Sequence, residues 1–231
     1  KSYPHIVFLK KGQHMKNVDV QVTPQAIVDG APMLDGPPMI LNLKKGELRP
    51  LIDKPKLKRN IEKKYVCIAT HSSSYYKYWL RKNGWNDVIK YLKELGYEVV
   101  CIDGDDIADY GRVKMHVPKG CIEKTGMRDL LERVNDLYFC DFFIGLGSGL
   151  SWLAWALKKP VIMISGFSAE SCEFKNPYRV INKNVCHGCW GKKGDTNDPF
   201  YCPEHYGTSR HHECSTEITF EMVREKIDSC R

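Results

Sequence analysis

Short, continuously apolar runs alternate along this chain with segments whose apolar residues recur every three or four positions. Tyr65-Val-Cys-Ile-Ala-Thr70 is apolar at successive positions, so both faces of a strand formed there must be covered. From Trp85 to Leu95, the residues Val88, Ile89, Leu92 and Leu95 fall on one helical face, and Gly96 follows as a C-terminal stop. Tyr97 to Ile102 reads as the next buried strand and Val113 to Val117 as a further short one. Thr125 to Leu137 predicts a helix with Leu130, Leu131, Val134 and Leu137 inward. Phe142 to Gly145 is a strand, followed by a Gly-rich turn and a helix from Gly149 to Leu157. Val161 to Ile164 and Tyr178 to Ile181 read as strands. Thr219 to Ile227 closes the pattern as an amphipathic helix with Phe220, Val223 and Ile227 inward.

Buried strands alternating with amphipathic helices predict an α/β fold, a Rossmann-like parallel sheet with helices on both faces. Residues 61–231 carry this pattern, while 1–60 read as an N-terminal extension. The extension holds one apolar run, Ile6 to Leu9, and a loop punctuated by Gly30, Pro32, Gly36, Pro37 and Pro38. In parallel sheets of this kind a ligand sits beyond the carboxyl ends of the strands, which directs attention to the turns after Thr70 and after Gly145.

Composition narrows the class. No apolar run reaches the ~18 residues of a membrane span, and Lys1-Ser-Tyr-Pro4 with its short apolar sequel does not read as a signal peptide. The absence of an initial Met suggests a processed product or a fragment. The net charge of +7 permits anionic partners, but the densest basic stretch, Lys54 to Lys64, lacks the interleaved aromatics of a single-strand binder, so nucleic acid is not the expected partner. Ten cysteines are many for 231 residues, yet they lack the even density of a secreted disulfide scaffold, which points to a reducing, cytoplasmic compartment.

Four of those cysteines are clustered. Cys186-x2-Cys189 is followed after twelve residues by Cys202 and after eleven more by Cys214. Such a pair grips one ion from a tight knuckle, and two thiolates from a returning loop complete a tetrahedron. The loop of residues 184–216 is rich in Gly, Asp, Asn and Pro and has no core of its own, so it needs a staple. Four protein ligands leave no open position, which makes the metal structural, with zinc the default and iron also suited to four thiolates. Two disulfides, free thiols or a redox pair are the alternatives. His187, His205, His211 and His212 lie close by as substitute ligands.

Two turns suit an anion. Gly145-Leu-Gly147-Ser148-Gly149-Leu-Ser151 joins a strand to a helix, whose first N–H groups and partial positive charge face outward, with Ser148 and Ser151 adding hydroxyls. It is neither a P-loop nor the dinucleotide fingerprint. Thr70-His-Ser72-Ser73-Ser74 offers hydroxyls, and Lys77 follows. Each alone is weak; together they place a diphosphate where topology puts a ligand.

Gly145 to Leu157, Pro160 to Phe167, Asn176 to Asn182, Cys186-His-Gly-Cys-Trp190, His71-Ser-Ser-Ser74, Lys77-Tyr-Trp79 and Asn83-Gly-Trp85 together resemble the bacterial autotransporter heptosyltransferases, and more distantly the lipopolysaccharide heptosyltransferases. The resemblance runs from Tyr65 to Ile227. It implies the C-terminal, donor-binding half of a GT-B glycosyltransferase that uses ADP-heptose to glycosylate serines of autotransporter adhesins. It further implies iron in the four-cysteine finger and a large ring-like homo-oligomer. It assigns Lys77 and Gly147-Ser148-Gly149 to the donor diphosphate. Residues 1–50 then resemble the tail of an acceptor half that is otherwise missing, with Glu47-Leu-Arg-Pro50 at the approach to the second domain. The finger reads as a staple at a subunit contact, outside the chemistry. No residue is assigned as the base, Asp35 being available without a supporting motif. The rival readings are a metal-finger module that binds nucleic acid, and a glycosyltransferase for another nucleotide sugar.

Overall fold

A computed structural model describes residues 49–50, 52, 57–190 and 198–231. The expected strand at Ile6 to Leu9, the loop of residues 30–40, Asp35 and most of the extension lie outside the described residues, as do Gly191, Gly194, Asp195 and Asn197 of the finger.

The elements in order are β1 (Tyr65–Ala69), α1 (Gly84–Glu94), β2 (Glu98–Cys101), β3 (Ile107–Asp109), β4 (Lys114–His116), β5 (Ile122–Glu123), α2 (Leu130–Phe139), β6 (Phe143–Leu146), α3 (Gly149–Ala156), β7 (Val161–Ile164), β8 (Arg179–Val180), α4 (Glu213–Thr216) and α5 (Phe220–Cys230). Six strands form one parallel sheet in the order β5-β2-β1-β6-β7-β8. Alternation within each strand feeds two cores. Val66 and Ile68 join Val99, Ile144, Leu146 and Ile162 against α1 and α5, through Val88, Leu92, Val223 and Ile227. Tyr65, Cys67, Val100, Phe143 and Met163 face the other way, onto Leu137 of α2 and Ala154 and Trp155 of α3. Covering both faces is what makes the strands read as unbroken apolar runs.

Strand order locates the crevice. β2 lies on one side of β1 and β6 on the other, so successive connections run in opposite directions from the carboxyl ends of β1 and β6. A doubly wound sheet binds ligands at such a switch point.

Two expectations need correction. The strand expected at Val113 to Val117 is β4, which pairs antiparallel with β3 in a separate hairpin and takes no part in the main sheet. The helix expected from Thr125 starts at Leu130, because the Asp129 carboxylate accepts the Leu131 N–H at 2.9 Å and caps it there. In its first turn Leu130 and Leu131 are 63% and 56% exposed, whereas Val134 and Leu137 are buried. Among the described residues no helix is long and apolar enough to cross a membrane.

Candidate functional site

The loop leaving β1 is aimed by a carboxylate that sequence reasoning missed. Asp103, 1% exposed just beyond β2, accepts the Thr70 N–H at 2.8 Å, the Thr70 hydroxyl at 2.9 Å and the His71 N–H at 3.0 Å. Its own carbonyl accepts Arg133 Nη2 at 2.8 Å, so the clamp is braced from α2. An acid ending an otherwise apolar strand run was the available signal. Beyond the clamp, Ser73 is exposed and Ser72 half-buried. The Ser72 carbonyl accepts the Tyr110 hydroxyl at 2.6 Å, and its own hydroxyl has no hydrogen-bond partner among the described residues. A single 3-10 turn, Tyr75–Lys77, then brings Lys77 back, half-buried, over the sheet.

The turn from β6 into α3 lies beside it. A Cβ on Gly147 would stand 2.3 Å from Glu173 Oε1, so glycine is required there by close approach of the buried carboxylate. Glu173 accepts the Ser165 hydroxyl at 2.7 Å and lies 3.2 Å from Arg179 Nη1; Arg179 Nη2 donates to the Ser168 carbonyl at 2.6 Å. Burial pushes the Glu173 carboxyl above the ordinary glutamate range, opposed by Arg179, by the Ser165 hydroxyl and by the charge of Lys77. The two expected turns leave adjacent parallel strands, with Ala69 opposite Gly145. Glu173 gave no signal in the sequence, and Arg179 was read only as part of the strand expected at Tyr178 to Ile181.

Gly149, the first residue of α3, faces open space, and Ser148 stands before it with extended backbone and no capping hydrogen bond from its side chain. The amino end of α3 is therefore open to an anion. Ser151 departs from expectation. It is fully buried, its hydroxyl donates to the Leu146 carbonyl and its N–H to the Ser148 carbonyl at 3.1 Å, so it holds the turn together and does not face outward.

The cysteine loop folds against the loop after β7. The Gly188 N–H donates to the Gly166 carbonyl at 2.9 Å and the Trp190 N–H to the Phe167 carbonyl at 3.1 Å. Gly188 takes a φ of +68°, which the knuckle between Cys186 and Cys189 requires. On the returning side, a Cβ on Gly166 would lie 1.8 Å from the Cys214 carbonyl oxygen. Cys214 opens into α4, a regular element that the loop composition did not predict.

Cys186, Cys189, Cys202 and Cys214 line one small cavity of roughly 10 Å³, together with Phe167 and His212. Three of the four are buried, Cys186 is half-buried, and none is in a disulfide. The Cys186 and Cys189 sulfurs are 3.5 Å apart, close to the ~3.8 Å that metal–sulfur bonds of ~2.3 Å give in a tetrahedron. Burial, then the neighbouring Cys202 and Cys186, push the Cys214 thiol up to about 12. Cys186, His205 and Glu213 form a second set whose ligand atoms lie within 4.8 Å of one another. Glu213 is already engaged, accepting Arg210 Nε at 2.9 Å, Arg210 Nη2 at 2.7 Å and the Cys186 N–H at 2.9 Å. Among the described residues the four sulfurs do not all lie within 4.8 Å of one another, so they line one cavity without forming a closed ligand set.

Comparison with known proteins identifies the family and the fold. The family model for glycosyltransferase family 9 (heptosyltransferase) matches residues 10–199. The autotransporter heptosyltransferase Aah of Escherichia coli is 46% identical over 181 residues, covering 75% of this chain and 46% of Aah. The autotransporter heptosyltransferase TibC of E. coli O78:H11 is 48% identical over 173 residues, covering 74% of this chain and 43% of TibC. BimC of Burkholderia thailandensis, an inactive autotransporter heptosyltransferase, is 37% identical over 170 residues, covering 71% of this chain and 40% of BimC. The crystal structure of TibC, an iron-containing dodecameric glycosyltransferase, superposes with a TM-score of 0.81 at 44% identity, covering 84% of this chain and 51% of TibC. TibC has also been solved in complex with ADP-D-beta-D-heptose. The chain spans less than half the length of the curated relatives it matches.

Proposed function

Because this chain belongs to glycosyltransferase family 9, the heptosyltransferases, we propose that it is the donor-binding half of a GT-B glycosyltransferase that transfers heptose from ADP-heptose to serine hydroxyls of an autotransporter adhesin. What supports this reading is that the turns bearing Lys77 and the open amino end of α3, at Gly147-Ser148-Gly149, leave the adjacent strands β1 and β6 at the switch point of the sheet. The complex of TibC with ADP-D-beta-D-heptose supports the choice of donor.

In this proposal the donor diphosphate lies between the two turns. Lys77 and the Gly149 N–H at the start of α3 stabilise the negative charge that develops as the nucleotide diphosphate departs. One helix terminus contributes only ~0.3–1 kcal/mol, so Lys77 and the hydroxyls of Ser72, Ser73 and Ser148 share the task. Ser151 acts by holding the turn. The acceptor proton needs a base, and none is assigned among the described residues. The inactive relative BimC favours a second reading, a donor-binding chain without transferase activity.

Cys186, Cys189, Cys202 and Cys214 hold one structural metal ion in this reading. The iron in TibC supports iron over zinc, and four thiolates leave no open position for chemistry. The dodecameric state of TibC supports a homo-oligomer.

Calorimetry with ADP, UDP and GDP tests the donor assignment. ADP binds selectively, and Lys77→Ala weakens it at least about ten-fold, the loss of one charge-assisted contact. Absence of ADP binding would sink the donor reading, and unchanged affinity in Lys77→Ala would remove that residue from it. Metal analysis of the purified chain, with and without Cys→Ser changes at the four positions, tests the finger. Transfer of heptose to an adhesin separates the active from the inactive reading.

A further inference from the structure

We infer that the cysteine finger sets the position of Lys77, with Ser215 as the positioning residue, so that closure of the finger and donor affinity are thermodynamically linked. The inference rests on the donor site proposed above.

The segment bearing Lys77 is held on both sides by the finger and the chain that leaves it. Before Lys77, the Tyr75 ring lies 4.6 Å from that of Phe200 and 5.6 Å from that of His212. Tyr76 stacks on Phe167 at 5.0 Å, and its hydroxyl donates to the Asp198 carbonyl at 3.3 Å. After Lys77, the Ser215 hydroxyl donates to the Tyr78 carbonyl and the same oxygen accepts the Leu80 N–H at 2.7 Å. Trp79 Nε1 donates to the Ile218 carbonyl at 2.9 Å.

Ser215 is 4% exposed and follows Cys214 directly in α4. It thus bridges two backbone groups of the donor loop from the residue next to a cavity-lining thiol. The start of the same loop is tied elsewhere, at Thr70 and His71 to Asp103 and at Ser72 to Tyr110.

A single 3-10 turn has no stability of its own, so the place of Lys77 is set by what grips its neighbours. Removing the Ser215 hydroxyl leaves a buried carbonyl and a part-buried N–H without that partner, and the turn relaxes. If an intact finger improves ADP affinity by some factor, then bound ADP must improve retention of the finger's metal by the same factor.

The test is a double-mutant cycle on the full chain, read by ADP calorimetry and by the rate of metal loss to a chelator. Ser215→Ala is expected to keep its stoichiometric metal and to weaken ADP about ten-fold. In a Lys77→Ala background the same change is expected to have no further effect, because the serine acts through the lysine. ADP is expected to slow metal loss from the parent and not from Lys77→Ala. If Ser215→Ala unfolds or loses its metal, Trp79→Phe, which removes the bond to Ile218 together with part of the packing on Trp85, takes its place in the cycle. Unchanged ADP affinity in the Ser215 or Trp79 variant, or an equal loss with and without Lys77, overturns the inference while leaving the donor site standing. Full ADP affinity in Lys77→Ala overturns the donor assignment and the inference with it.

Discussion

At Gly147 and Gly149, two residues of one turn, the same substitution should have opposite consequences. Alanine at 147 drives its Cβ to 2.3 Å from the Glu173 Oε1 that holds the Ser165 hydroxyl, the other carboxylate oxygen lying against Arg179, while alanine at 149 meets nothing within 4 Å. Gly147→Ala is expected to cost ~1–3 kcal/mol in chemical denaturation, and Gly149→Ala to stay within ~0.5 kcal/mol. Glu173 itself carries a pH signature. Its folded-state pKa is raised from 4.5, so the folded chain binds more protons than the unfolded one above that value. Its contribution to stability therefore falls as pH rises from the ordinary glutamate range through the raised one. Glu173→Gln removes that fall. The melting temperature of the variant relative to the parent is expected to climb across this window, in scans from about pH 4 to 8. A flat difference would show that the carboxyl is not perturbed. At this scale the sequence was legible where a residue type is unusual in its place, as with Gly147. It was silent on Glu173 and Ser215, whose importance comes from partners many residues away.

At the scale of elements, periodicity located every strand of the parallel sheet except β5, which has only two residues. It misjudged α2, since Leu130 and Leu131 repeat at helical spacing with Val134 and Leu137 but are exposed in its first turn. Polar replacement of Leu130 or Leu131 is expected to leave the stability of the isolated chain within ~0.5 kcal/mol, whereas Leu137→Ala costs ~2–5 kcal/mol. Equal effects in urea denaturation would contradict the burial. The finger was legible as spacing, because a C-x2-C knuckle and two returning thiols are a local pattern. That it packs on the loop after β7, with the Gly166 Cα almost against the Cys214 carbonyl, was not.

For the whole molecule, the positive charge of the chain leaves a nucleic-acid partner as the rival to be excluded, and salt separates the two. A polynucleotide bound through six to ten phosphates loses about 10³–10⁵ in affinity between roughly 50 and 200 mM salt. ADP carries few charges and is expected to lose about ten-fold or less over that range, with no tight polynucleotide binding at its upper end. A steep slope with an oligonucleotide, and none with ADP, would favour the rival.

The sequence by itself determined the α/β class, the two-sided covering of the strands, the two turns at their carboxyl ends and the clustering of four thiols. All of these are written in short-range pattern: unbroken apolar runs, apolar residues every three or four positions, or a knuckle of fixed length. Only the tertiary structure decided the strand order that brings the β1 and β6 turns together, the clamp of Asp103 on Thr70, the carboxylate beneath Gly147 and the grip of Ser215 on the turn that bears Lys77. Each of those joins residues distant in the chain. No local pattern encodes them, because pairings of that kind exist only once the sheet has fixed which loops are neighbours.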